Sequence, residues 1–192
     1  MNLKGGIGSV LMILDATAGY RSMYELKDNT SIIYIDVERQ LLTKPTVFCD
    51  NTKTPFMDKQ FDTIFYDPPH GFGENPFDHT IMKDDTRSAL THKYPFATSY
   101  YGWDKYKSQY ALITHIYRAQ REFHRILKDD GLLWFKWNEA RIALNRVLCM
   151  FEDWDILMCI NIADPNKTWG KGKSYWIALT KKKKEYNQTC LS

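Results

Sequence analysis

The sequence predicts an α/β protein built on a doubly wound, mostly parallel sheet that closes with an antiparallel hairpin. Three observations predict it. Continuous apolar runs at residues 10–14 and 32–35 have the character of strands covered on both faces. Such runs alternate with helix-like segments through the first two-thirds of the chain, as βαβ units do. Residues 154–162 and 174–180 then read as two strands joined by the polar turn 164–173.

Taken in order, strands are predicted near 10–15, 32–36, 46–49, 62–66 and 132–137, and helices near 20–28, 38–43, 109–128 and 139–151. The helix over 109–128 has the clearest periodicity. Leu112, Ile116, Ala119, Phe123 and Leu127 share one face, with Arg118, Arg121, Glu122 and Lys128 largely elsewhere. Asp129-Asp130-Gly131 is expected to stop it, with the glycine in the left-handed cap conformation.

At 192 residues, 44% hydrophobic and 15% aromatic, the chain suits one globular domain spanning 1–192. No apolar stretch approaches the ~20 residues of a spanning helix, and residues 1–10 lack a secretory apolar region. A soluble, cytoplasmic protein with no membrane partner is therefore expected. Cys49, Cys149, Cys159 and Cys190 show no C-x-x-C spacing, and the apolar runs around three of them predict small buried hydrophobes. His79, His115 and His124 have no ligand spacing with cysteines or acids, so no metal is assigned. The net charge of +3 does not by itself imply a polyanionic partner. Residues 71–108 join a strand to the long helix without periodicity, and irregular loops of that length are usually functional or disordered. A substrate or lid loop is expected there, followed far downstream by a basic tail at 181–192.

In open α/β sheets, ligands bind beyond the carboxyl ends of the strands. Asp15-Ala16-Thr17-Ala18-Gly19 falls at such an end, and its small residues let the backbone approach a ligand. Asp36, followed by Val37, ends the next strand 21 residues after Asp15, where a carboxylate can take two hydrogen bonds from ribose hydroxyls. Asp50-Asn51 ends the third strand and suits an adenine edge. A dinucleotide is the competing ligand, but the G-x-G-x-x-G turn is missing, because Tyr20 and Arg21 follow Gly19. Arg21 is read either as a partner for a ligand carboxylate or as a helix-face salt bridge.

Asp67-Pro68-Pro69-His70 follows the strand-like run Phe61-Asp62-Thr63-Ile64-Phe65-Tyr66. An acid, a proline-fixed carbonyl and a flat ring at the mouth of a strand can hold a planar amino group. The alternative is a rigid turn in which Asp67 caps local amides.

With these motifs the chain resembles the class I S-adenosylmethionine-dependent methyltransferases, whose fold is Rossmann-like. More narrowly, it is similar to the DPPY-type amino-methyltransferases of nucleic-acid bases, of the N4-cytosine and N6-adenine kind. The resemblance covers roughly residues 8–180. It implies S-adenosylmethionine as cofactor, bound along Asp15–Gly19, Asp36–Val37 and Asp50–Asn51, and a catalytic loop of Asp67, Pro68, Pro69 and His70. His70 stands where the family carries a larger ring, and is expected to lie flat on the base. Aspartate at 67 points to base amines, since relatives acting on glutamine side chains usually carry asparagine there.

Lys93, Tyr94, Tyr100, Tyr101, Trp103 and Lys105 interleave rings with positive charge, and Lys171 and Lys173 extend the set into the hairpin turn. That mixture suits unpaired nucleotides. There is little room for a separate base-reading module, so RNA, with cytidine N4 favoured, is expected ahead of DNA. Two other readings stay open: a nucleic-acid-binding subunit that has lost catalysis, and methylation of a protein or small-molecule amine.

Overall fold

The computed structural model describes residues 11–39, 41, 43–73, 105–139, 141–162 and 173–183. Its strands are β1 (Ile13–Asp15), β2 (Ile32–Asp36), β3 (Val47–Phe48), β4 (Phe61–Tyr66), β5 (Leu127–Asn138), β6 (Trp154–Ile162) and β7 (Ser174–Lys181). Two helices are described, α1 (Gln109–Ile126) and α2 (Leu144–Leu148). The strands form one sheet in the order β3-β2-β1-β4-β5-β7-β6. Pairs from β3 through β5 are parallel, while β7 runs antiparallel to both β5 and β6.

Register assigns the two faces. Leu14, Ile64, Leu133 and Leu179 align across four strands, all fully buried. They meet α1 through Leu112, Ile116, Ala119 and Phe123, in the same buried cluster. Ser108 starts that helix by accepting the Ala111 amide on its hydroxyl at 3.2 Å. The helix ends earlier than its periodicity predicts. Leu127 is already extended and begins β5.

Gly131 is not the left-handed cap; the described glycines with positive φ are Gly19 and Gly73. It is required by close approach instead. A Cβ on Gly131 would lie 2.9 Å from the Asp62 carbonyl oxygen and 2.7 Å from the Leu127 side chain.

The helix predicted near 20–28 is absent, and turns occupy that stretch. Gly19 and Arg21 have φ of +47° and +54°, which a right-handed helix does not admit. The opposite face of the sheet is covered by rings in its place. Tyr24 sits edge-on to Tyr34 and Phe65, and Phe65 sits edge-on to Trp176. The described residues of 38–43 carry no helix either, and Pro45 restricts Lys44 before it. The helix predicted at 139–151 shrinks to Leu144–Leu148, since Ala143 is extended and the Leu144 amide is taken by Glu139 Oε1 at 2.9 Å.

β6 is an edge strand, and all its residues after Trp154 are exposed. This corrects the expectation of buried cysteines: Cys159 on that edge and Cys149 are both exposed, and Cys49 is intermediate. No described helix is long and apolar enough to cross a membrane.

Candidate active site

The carboxyl ends of β1, β2, β3 and β4 border one cleft of about 380 Å³. The turn after β1 is held from both sides, because Ala16 N donates to Phe65 O and Ala18 N to Ile35 O. Gly19, left-handed, points its amide at Asp36 Oδ2 at 2.9 Å, and the Glu38 amide reaches Asp36 Oδ1 at 2.8 Å. Each carboxylate oxygen of Asp36 therefore holds one backbone donor and keeps lone-pair capacity for another. Asn51 donates its Nδ2 to Ala16 O at 3.0 Å, which leaves its buried Oδ1 without a hydrogen-bond partner.

Of the residues assigned to the cofactor, Ala16, Thr17, Ala18, Gly19, Asp36, Val37, Asp50 and Asn51 line this cleft. Asp15 does not. It is fully buried behind the turn, where Oδ1 accepts the Thr17 amide at 3.0 Å and shapes the loop. Burial pushes its carboxyl up to about 7, against the opposing pull of the Thr17 amide and the nearby Tyr24 hydroxyl; the charges of Asp67 and Asp36 add to the rise.

Arg21 also faces away from the cleft. Its Nη1 donates to Lys27 O and Asp28 Oδ1, its Nη2 donates to Lys44 O, and its guanidinium lies 3.9 Å from the Tyr34 ring centre. These bonds engage Arg21 away from the cleft lining, and they bear out the salt bridge, to Asp28 at 3.0 Å, although on turns and not on a helix face. Its buried guanidinium organises the turns that stand where a helix was expected.

Asp67, Pro68 and Pro69 line the same cleft as Gly19 and Asp36. The Asp67 carboxylate is bonded on both oxygens. His70 Nε2 lies 3.2 Å from Oδ1, and Lys136 Nζ lies 2.6 Å from Oδ2. Burial pushes the Asp67 carboxyl upward, but His70, through its hydrogen bond and its electrostatic pull, and after it the Lys136 ammonium outweigh burial and hold the group below the usual carboxylate range.

His70 departs from the expected platform. Its ring is 12% exposed, does not line the cleft, and packs edge-on to Trp137 with centroids 5.4 Å apart. Imidazole is small enough to turn inward and bring its Nε2 to Asp67.

Residues not anticipated complete the cleft. Tyr106 and His115 form a ring wall with centroids 5.2 Å apart, and Tyr20, Met23 and Leu41 add apolar surface. Burial holds the His115 imidazole below its ordinary range, so the wall is uncharged at neutral pH. Sequence signals for these were faint. Lys136 had a better one, being a cation inside the otherwise apolar run Leu132-Leu133-Trp134-Phe135-Lys136-Trp137.

Among the predicted substrate contacts, Lys105 lines the cleft beside Glu38, at 3.8 Å. Lys173 is exposed just before β7, outside the cleft lining. Lys93, Tyr94, Tyr100, Tyr101, Trp103 and Lys171 lie outside the described residues.

A parallel sheet with an antiparallel strand inserted before its last edge, and a cleft at the carboxyl ends, is the class I methyltransferase fold. Solved structures similar to this chain have that fold. The PH0226 protein of Pyrococcus horikoshii OT3 superposes with a TM-score of 0.56 at 11% identity, over 89% of this chain and 82% of that one. A TehB-like SAM-dependent methyltransferase from Corynebacterium glutamicum gives 0.54 at 14% identity, over 90% and 81%. A geranyl diphosphate methyltransferase solved in complex with SAM gives 0.50 at 9% identity, over 93% and 81%. No protein-family model and no curated protein matches the sequence.

Proposed function

We propose that this protein is an S-adenosylmethionine-dependent methyltransferase acting on the exocyclic amino group of a nucleic-acid base, in RNA ahead of DNA, with cytidine N4 as the favoured acceptor. The observation that carries this reading is the shared cleft: Gly19 and Asp36 line it together with Asp67, Pro68 and Pro69. Its volume of about 380 Å³ falls in the range of small-ligand sites, about 300–1,000 Å³.

The residues fit the cofactor. Asp36 keeps acceptor capacity for ribose hydroxyls, and the orphaned Asn51 Oδ1 can accept an adenine amino hydrogen. Ala16, Ala18 and Gly19 leave room for close approach, and the Tyr106 and His115 rings supply an aromatic wall. When bound, S-adenosylmethionine supplies an electrophilic methyl group on a sulfonium sulfur.

The chain's own part is positioning. Asp67 and the Pro68 carbonyl accept the two amino hydrogens of the base, which draws the nitrogen lone pair out of conjugation and toward the cofactor side. The Asp67 charge favours the nitrogen as positive charge builds on it. With its carboxyl held low, Asp67 acts more by electrostatics than as a strong base. The base must leave its stack to reach a cleft at the sheet edge, and unpaired RNA gives it up at least cost.

The test is incubation with S-[methyl-³H]adenosylmethionine and total RNA or genomic DNA, followed by identification of the labelled nucleoside. Label in N4-methylcytidine fits the reading, label in DNA shifts the polymer, and label only in protein or small molecules overturns it. Asp67→Ala is expected to abolish transfer while leaving cofactor affinity, read by calorimetry, nearly intact. Asp36→Ala is expected to weaken cofactor binding by about tenfold or more, the cost of a lost charge-assisted hydrogen bond. Transfer retained in Asp67→Ala would remove the mechanism.

A further inference from the structure

We propose that Lys136 is a specificity-determining positioning residue, which holds its ammonium against Asp67 Oδ2 and so reserves the clamp for a neutral, conjugated N–H donor while rejecting alkylammonium acceptors. The inference rests on the reading of Asp67 as the amine clamp and names the charge state of what the clamp takes.

The geometry is specific. Lys136 lies on β5 and Asp67 immediately follows β4, parallel neighbours in the sheet. Register aligns Lys136 with Trp176 on β7, and the ammonium sits 5.8 Å from that indole's centre while bonding Asp67 at 2.6 Å. The lysine side chain is 27% exposed and the aspartate 20%, so solvent screens the pair only in part. A second interaction, with the ring face, holds the cation at the carboxylate.

Other ionisable groups face Asp67. His70, from its own loop, bonds Oδ1. Asp15, from β1, is close enough to interact by charge. Lys136 is the permanent cation among the described groups that bond Asp67. It offsets part of the carboxylate charge, so the clamp presents acceptor lone pairs in a reduced negative field.

Two acceptor classes then diverge. A neutral base amine needs only the free lone pairs of Asp67 and, carrying no charge when it binds, is not repelled by the lysine at that stage. An alkylammonium would place a second positive charge within about 5 Å of the first, and at an effective dielectric near 20 that repulsion weakens binding on the order of a hundredfold. Free carboxylates of the same fold would lack this discrimination.

The experiment is carboxyl ¹³C NMR on the full chain, with Asp67→Asn identifying the Asp67 resonance. Wild-type Asp67 is expected to titrate below the ordinary aspartate range. Lys136→Met is expected to raise the midpoint by about 1–3 pH units, the usual effect of removing an adjacent cation. Lys136→Gln serves as the neutral variant if the methionine form does not fold. Lys136→Arg retains the charge and is expected to track wild type. Ethylammonium chloride is the second probe: it should perturb Asp67 in the neutral variant and leave wild type unchanged at the same concentration. Equal midpoints in wild type and the neutral variant, a raised midpoint in Lys136→Arg, or equal ethylammonium binding would each overturn the proposal. None of these readouts depends on turnover, so absence of methyl transfer to RNA or DNA would strike the base-amine reading separately.

Discussion

Asp67 and Thr17 are joined by a hydrogen bond from the Asp67 amide to Thr17 Oγ1 at 2.8 Å. The Thr17 amide in turn donates to Asp15 Oδ1 at 3.0 Å. One threonine therefore fixes the acid-proline loop against the small-residue turn, although 50 residues separate it from Asp67 in sequence. Thr17→Val keeps the shape and leaves the Asp67 amide without its acceptor, at a cost of about 1–3 kcal/mol. The expected result is methyl transfer reduced by about tenfold or more, with cofactor affinity changed less and Thr17→Ser close to wild type. Single-turnover label transfer and calorimetry read the two effects.

Arg21 tests the account of the missing helix. Its guanidinium fork reaches Lys27 O at 2.7 Å and Lys44 O at 2.7 Å with different nitrogens. A lysine keeps the charge but cannot span both carbonyls or lie flat on Tyr34. Arg21→Lys is expected to cost about 2–4 kcal/mol, from carbonyls left without a charged donor and lost ring packing. Urea denaturation measures the loss. Because Tyr20 and Met23 flank Arg21 and line the cleft, cofactor affinity should fall as well.

Gly131 separates two explanations of one residue. A left-handed cap would tolerate asparagine, which adopts that conformation more readily than other residues. Close approach tolerates no Cβ, because the nearest backbone obstacle, Asp62 O, would be 2.9 Å away. Gly131→Ala and Gly131→Asn are both expected to destabilise by about 1–3 kcal/mol through overpacking. A wild-type melting temperature in Gly131→Asn would restore the capping account.

Asp15 gives a pH dependence whose sign is fixed. Its folded carboxyl is raised from 3.8 to about 7, so between those values the folded chain binds more protons than the unfolded one. Stability from this group therefore falls as pH rises from about 4 to about 7 and is flat beyond. Asp15→Asn keeps an acceptor for the Thr17 amide and never has to ionise. It is expected to be more stable than wild type at pH 8, with the gap narrowing toward pH 5, as read by urea midpoints at both values. A gap that widens on acidification would show that Asp15 is stabilised as a carboxylate.

Much of the fold was readable from neighbouring residues. The apolar runs at Ile32–Asp36, Phe61–Tyr66 and Trp154–Ile162 became strands close to their predicted limits, and the 109–128 periodicity became α1. Asp36, Gly19 and the Asp67-Pro68-Pro69 loop were identifiable as cleft residues because they end strands of a parallel sheet, although the same argument misplaced Asp15, which shapes the turn from behind. The helix at 20–28 was misread because its pattern carried no sign that Arg21 would be buried over Tyr34.

What the chain order alone determined is local: which segments are extended, the one helix with a clear periodicity, and which acids end strands, since these follow from side chains a few positions apart. Tertiary structure decided the rest. Lys136 meets Asp67 across 69 residues only because β4 and β5 are sheet neighbours. The His70 ring likewise packs on Trp137, which another strand brings to it, and Asp15 is buried only once the neighbouring strands have paired around β1.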